Sequence, residues 1–417
     1  MSELRSAEQI RGAVETAVAE VSVLDLHTHI YPPSFGAILL WGIDELLTYH
    51  YLVAELFRQS PREFTYDRFW KMPKREQADV VWQRLFIENS PVGESCRGVL
   101  TCMEKLGLDV SARDLSGARD YFERLSPEEY VDIVFEKAGV EAVVMTNNPF
   151  DDEERPSWEA SAEVEGRFKA ALRIDNVLVA FKYAAPRLRE WGYDVADDLP
   201  EKALAEIRRF LADWIDRMGA VYMAASLPPD FAFPEDSPCG RIIAECVLPV
   251  SREKGVPFAM MVGVKKLVNP PLALAGDGVG VSDLSAVENL CRDYPENKFL
   301  VTALSRDCQH ELTVLARKFR NLMIFGCWWF LNDPSMIEEM TRMRMELLGL
   351  SFIPQHSDAR VLDQLIYKWT HSRRIIADVL VEKYGLALDA GWVATTEEVE
   401  RDVASLFREN FNRFLEA

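Results

Sequence analysis

Beyond residue 139, short apolar runs recur between longer amphipathic segments, and this alternation constrains the fold more than any other feature of the chain. The runs lie at 141–146, 168–173, 220–224, 256–262, 298–302, 321–325 and 350–354, and an eighth, 21–26, leads directly into His27. Runs this short and this apolar read as strands buried on both faces. Strands separated by helices pair in parallel, because a crossover helix returns each strand in the same direction. Eight such units predict an α/β protein with a closed (β/α)8 TIM-type barrel. A doubly wound open sheet is the alternative, but no G-x-G-x-x-G follows any of the runs.

The stretch 34–138 breaks the alternation. Helix-like patterns dominate it, interrupted at Pro61, Pro73, Pro91, Gly107 and Pro127. Ser126-Pro127-Glu128-Glu129 has the form of a helix start, with a capping serine and a proline in the first turn. The expected organisation is therefore an N-terminal helix and first strand in 1–33, a helical insertion in 34–138, and the rest of the barrel in 139–417. No repeat of fixed period and no low-complexity segment occurs.

Charge narrows the function. With 47 basic and 67 acidic side chains the formal net charge is −20. Such a surface repels phosphate backbones, which excludes nucleic acid as the expected partner. A small anionic substrate would need arginines placed locally against that field. The seven cysteines (96, 102, 239, 246, 291, 308 and 327) show no C-x-x-C spacing. Reduced thiols in a cytoplasmic protein are expected, not a disulfide framework or a zinc ribbon. The first ten residues lack the apolar core of a signal peptide, and no apolar run approaches the length that spans a bilayer.

Only six histidines occur, and two of them flank Thr28 in Leu24-Asp-Leu-His-Thr-His29. Alternation along a strand sends His27 and His29 to one side. Neutral imidazoles at that spacing are ligands for zinc or a similar divalent ion. Asp358 follows the eighth run. Barrel closure sets strand 8 beside strand 1 and brings this carboxylate to the two imidazoles. Two nitrogens, one carboxylate and open positions describe a catalytic metal site. Asp358 can equally serve as a helix N-cap for the segment near Val361. His356, two residues earlier, would point into the same site, whereas His310 and His371 are expected on helix surfaces.

Several stretches resemble the uronate isomerases, a divergent branch of the amidohydrolase superfamily. They are Leu26-His-Thr-His29, His50-Tyr51, Met145-Thr-Asn-Asn-Pro149, Arg173-Ile-Asp175, Phe325-Gly-Cys-Trp-Trp-Phe-Leu-Asn-Asp333, Gly349 and Ser357-Asp358-Ala-Arg360. The resemblance implies interconversion of D-glucuronate with D-fructuronate, or of D-galacturonate with D-tagaturonate. It implies His27, His29 and Asp358 as ligands of a divalent metal, expected to be Zn2+. It also implies Asp358, Tyr51 and His50 as the catalytic set. Arg360, Arg173, Trp328, Trp329 and His356 are then the candidates to bind the sugar acid. A planar guanidinium pairs bidentately with a carboxylate, which suits the arginines to that role.

The chain departs from the family pattern at four places. Met261 stands where a strand-5 histidine is usual, and Ser226-Leu-Pro-Pro229 replaces Ser-Asp-His-Gly. Asn147-Asn148-Pro149 replaces Asp-Asp-Pro, and Leu52-Val53 replaces Trp-Arg. These departures point to a remote subgroup with a weaker metal site or a different substrate. The alternative is a metal-dependent hydrolase or lyase of the same superfamily acting on a sugar-acid-like substrate, against which the absence of a strand-4 lysine and a strand-5 histidine speaks. Composition leaves a homo-oligomer open as a further partner state.

Overall fold

The computed structural model describes residues 2–160 and 164–417. After a helix at Ala7–Glu20, capped by the Ser6 side chain, seven parallel strands follow in chain order. They are β1 (Val23–Thr28), β2 (Val140–Asn147), β3 (Phe168–Arg173), β4 (Met223–Leu227), β5 (Phe258–Val262), β6 (Phe299–Ala303) and β7 (Leu322–Ile324). Each strand pairs only with its neighbours in sequence, as successive βα units winding in one direction require.

The eighth unit closes the ring without a regular strand. Ile353 donates to the carbonyl of Ile324 at 3.0 Å, and Gly326 donates to that of Ile353 at 2.9 Å. On the other side, Asp358 donates to the His27 carbonyl at 3.0 Å, and His29 to the Ala359 carbonyl at 2.7 Å. The fold is a (β/α)8 barrel, with a strand predicted over 350–354 replaced by an irregular link that reaches to residue 359. Pro354 has no N–H to give to a ladder. Asp358 sits at φ +52°, a left-handed conformation that no extended strand contains.

Alternation along each strand separates two cores. Leu24, Leu26, Ala142, Val144, Ala171, Ala224, Ala259, Met261, Leu300 and Met323 fill the interior of the barrel. Their neighbours, among them Val143, Leu172, Met223, Phe258, Met260 and Phe299, pack outward against the helices. This is the two-sided burial that the apolar runs record.

Between β1 and β2 the regular elements are all helical. The last of these helices, Pro127–Ala138, begins with a reciprocal capping box between Ser126 and Glu129. Its Tyr130 hydroxyl donates to Asp363 at 2.6 Å, which ties it to the C-terminal half of the chain. No helix among the described residues is long and apolar enough to cross a membrane.

Candidate active site

Pairing between β1 and β2 gains one residue on β1 between Asp25↔Val143 and Thr28↔Met145. This bulge shifts the side-chain alternation, so that His27 joins Leu26 in facing the barrel interior. The Tyr222 hydroxyl donates to the Leu26 carbonyl at 2.6 Å from within the barrel. His27 and His29 therefore meet above the barrel, their rings 5.4 Å apart and nearly perpendicular.

Asp358 completes the cluster. Its Oδ1 lies 3.4 Å from Nε2 of His27 and 3.4 Å from Nε2 of His29, and all three atoms fall within 4.8 Å of one another. Ligands about 2.1 Å from a tetrahedrally bound zinc stand about 3.4 Å apart, so the spacing suits such an ion. The partners of the atoms say the same. Arg360 Nη2 approaches His29 Nε2 at 3.3 Å, and a guanidinium only donates, so Nε2 carries a lone pair. His29 Nδ1 faces Thr146 Oγ1 at 3.3 Å, while that hydroxyl donates to the Thr28 carbonyl. The proton of His29 thus belongs on Nδ1, the tautomer that leaves Nε2 for a metal. Both ring nitrogens of His27 and Oδ1 of Asp358 are buried without a hydrogen-bond partner. Three potential ligand atoms converging on one point, two of them without a hydrogen-bond partner, fit a divalent cation. Pairing with Arg360 and binding that cation are alternatives for the His29 lone pair.

Ionisation follows burial and charge. Burial opposes the Asp358 charge, but the His27 and His29 contacts outweigh it and hold the carboxyl well below its usual range. Burial, and then the Arg360 charge, hold His29 well below an ordinary imidazole. The same two causes act on His50. Both imidazoles are therefore neutral at neutral pH.

A cavity of about 160 Å³ opens over the cluster. Of the residues expected at the site, His27, His29, His50, Arg173, Trp328, Trp329, Asp358 and Arg360 line it. Two do not. His356 is fully buried behind His27, with ring centroids 5.0 Å apart, and burial pushes its pKa down to about 3. Gly326 explains that position: at φ +69°, a Cβ there would lie 2.0 Å from the His356 ring. His356 therefore lies beneath the site and not on the cavity wall, because the irregular link abandons the strand alternation that would have aimed it inward. Tyr51 packs edge-on to His50 at 4.7 Å and does not reach the cavity wall; burial raises its phenol well above the ordinary value. His310 is exposed on its helix. His371 is half-buried and hydrogen-bonds Thr101 at 3.0 Å, so it is less exposed than its helical setting suggests.

Arg173 forms a bidentate pair with Asp175, at 3.0 and 2.9 Å, and Asp175 also accepts from the Ser226 amide. Sequence reasoning singled out Arg173 but assigned no role to Asp175, Thr146 or Lys266, all of which line the cavity. Thr146 and Asp175 stand at or just beyond the C-terminal ends of β2 and β3, where barrel enzymes carry their functional groups. That rule could have found both. Lys266 lies on a short hairpin after β5 and carries no such signal.

The chain superimposes on the uronate isomerase of Bacillus halodurans C-125 with a TM-score of 0.97 and 59% identity, covering 99% of this chain and 97% of that one. The chain belongs to the uronate isomerase family. Two more distant members share its fold. The uronate isomerase of Thermotoga maritima matches with TM-score 0.79 and 14% identity over 98% of this chain and 97% of that one. The glucuronate isomerase of Caulobacter crescentus matches with TM-score 0.76 and 16% identity over 98% and 94%. No family model and no curated protein matches the chain. Met261 lines the cavity from β5, and among the described residues His27, His29 and Asp358 form the one group of His, Cys, Asp or Glu side chains that could hold a metal ion.

Proposed function

We propose that the protein interconverts an aldose uronate, D-glucuronate or D-galacturonate, with the corresponding ketose uronate through an enediol. The observation that carries this reading is the meeting of the His27, His29 and Asp358 cluster with Arg173 and Arg360 around one small cavity. A two-imidazole, one-carboxylate set leaves positions open for a substrate oxygen, and the arginines suit a sugar acid in a chain of net charge −20.

His27, His29 and Asp358 would hold the metal, which we propose is zinc. When bound, it supplies a Lewis acid beside the substrate oxygens. The proton work falls to the chain itself. Asp358 is kept ionised, and with Oδ1 between the imidazoles its Oδ2 is left to take the proton from C2 of the open-chain aldose. The electrons of that C–H bond form the C1–C2 double bond, and the aldehyde oxygen gains a proton. Returning a proton to C1, with loss of the C2 hydroxyl proton, leaves the ketone at C2, so no external oxidant or reductant is needed. Neutral His50 offers one donor and one acceptor nitrogen for the hydroxyl protons. Tyr51, kept protonated by burial, packs edge-on against His50 behind the cavity wall and holds that ring in place. Arg360 and Arg173 orient the sugar-acid oxygens, and Trp328 and Trp329 wall the cavity from water.

The test is ketose formation from D-glucuronate and D-galacturonate by zinc-loaded protein. Asp358→Asn is expected to lose about a thousandfold in kcat, within the range for removing a general base. Absence of turnover on every uronate in a panel would exclude the reading.

A further inference from the structure

Three cations line the cavity, and they are committed very differently. Arg173 spends two nitrogens on Asp175. Arg360 lies against His29, at the metal cluster. Lys266 makes one hydrogen bond, 2.8 Å to Oδ2 of Asp277; its side chain is 59% exposed, so the two other donors of the ammonium stand open at the cavity mouth. Its anchor is rigid: Asp277 is buried and accepts the Leu267 amide through its other oxygen at 2.8 Å. The hairpin of Val264–Lys265 with Gly278–Val279 holds both residues at the rim of the barrel.

The same wall carries Trp329. Lys266 Nζ stands 5.6 Å from the Trp329 ring. Trp329 lines the cavity with its indole N–H buried and without a partner. Trp329 is also held at φ +45°, a strained backbone that the surrounding packing must enforce. An ammonium with donors to spare on the cavity wall is complementary to an anionic oxygen.

An aldose uronate has its reacting carbons at one end and its carboxylate at the other. Proton transfer at C1 and C2 next to Asp358 directs the carboxylate away from the cluster. We infer that Lys266 binds the substrate carboxylate and so selects uronates over neutral aldoses. This inference rests on the uronate reading of the site. Lys266 is a binding residue here, and Asp277 a positioning residue that holds its ammonium at the rim between turnovers.

The experiment compares the parent with Lys266→Met and Lys266→Arg, all zinc-loaded. Lys266→Met is expected to raise KM for D-glucuronate about tenfold or more while kcat stays within about threefold, since a charge-assisted bond of ground state and transition state alike is lost. The Kd for D-gluconate, a sugar acid that cannot isomerise, is expected to rise by the same factor in calorimetry. Lys266→Arg should recover most of both effects, which a merely structural role would not produce. KM and Kd within about threefold of the parent, or a loss confined to kcat, overturns the inference. If the parent turns over no uronate, the functional reading fails by itself, and D-gluconate binding still decides the role of Lys266.

Discussion

The two sides of the His27, His29 and Asp358 cluster are built in contrasting ways. His27 and His29 sit at the end of a β-strand whose backbone is paired with β2. Asp358 sits in a link with no regular secondary structure, and buried side chains take over the work of a ladder. Asn332 donates to the carbonyls of His356 and Ser357 at 3.1 and 2.9 Å and accepts from Gln355 at 2.9 Å. Gln355 in turn accepts the Cys327 amide. Asp25 accepts the Ser357 amide at 3.0 Å and the Trp369 indole at 2.8 Å. Lys368 donates to the Asn332 carbonyl and to Glu94. Every buried backbone group needs a partner, and here distant residues supply it. The difference shows that a left-handed backbone at a ligand is sustained by a network around it, whereas a ligand on a strand needs little beyond the sheet.

Breaking the bridge between the two sides should have the largest effect. Asp25→Ala leaves the Ser357 amide and the Trp369 indole buried without acceptors, and is expected to cost about 3 kcal/mol in urea unfolding. A cost below about 1 kcal/mol would mean that Asp25 does not hold the link. Next comes the link itself. Asn332→Leu removes both donors to the carbonyls that precede Asp358, and should weaken zinc binding about 10- to 100-fold by chelator competition. Thr146→Val removes the contact to His29 and the hydroxyl's donation to the Thr28 carbonyl on the strand side, where the sheet still fixes the backbone, and a smaller loss than for Asn332→Leu is expected. Equal losses from these two would break the contrast.

The smallest effect is a control outside both regions. Burial holds His371 down to about 4, below its unfolded value near 6.5. The unfolded chain therefore binds more protons between those values, so stability falls as pH drops from about 6.5 toward 4. His371→Gln should flatten that part of the stability profile and leave zinc affinity unchanged.

The same contrast decided what the sequence made legible. Seven strands were readable because two-sided burial writes continuous apolar runs, and Asp358 was placed beside the histidines by barrel closure alone. His356 was misplaced because its role depends on a link whose shape comes from Asn332, Gln355 and Asp25, far apart in the chain. No local pattern announces such a network. Gly326 and Asp333 belong to a recognisable segment, yet their work, a close approach to His356 and the N-cap of the helix Pro334–Leu348, emerges only from the packing. Lys266 remained hidden for a related reason: a hairpin brings it to the cavity, and a lone lysine among 47 basic residues carries no signal.

The most direct test follows D-glucuronate and D-galacturonate by proton NMR with the zinc-loaded parent and with Asp358→Asn side by side. The account predicts the ketose signals of D-fructuronate or D-tagaturonate with the parent, and unchanged uronate with the variant over the same time. Ketose formed by Asp358→Asn at the parent rate, or both uronates left unchanged by the loaded parent, would contradict it.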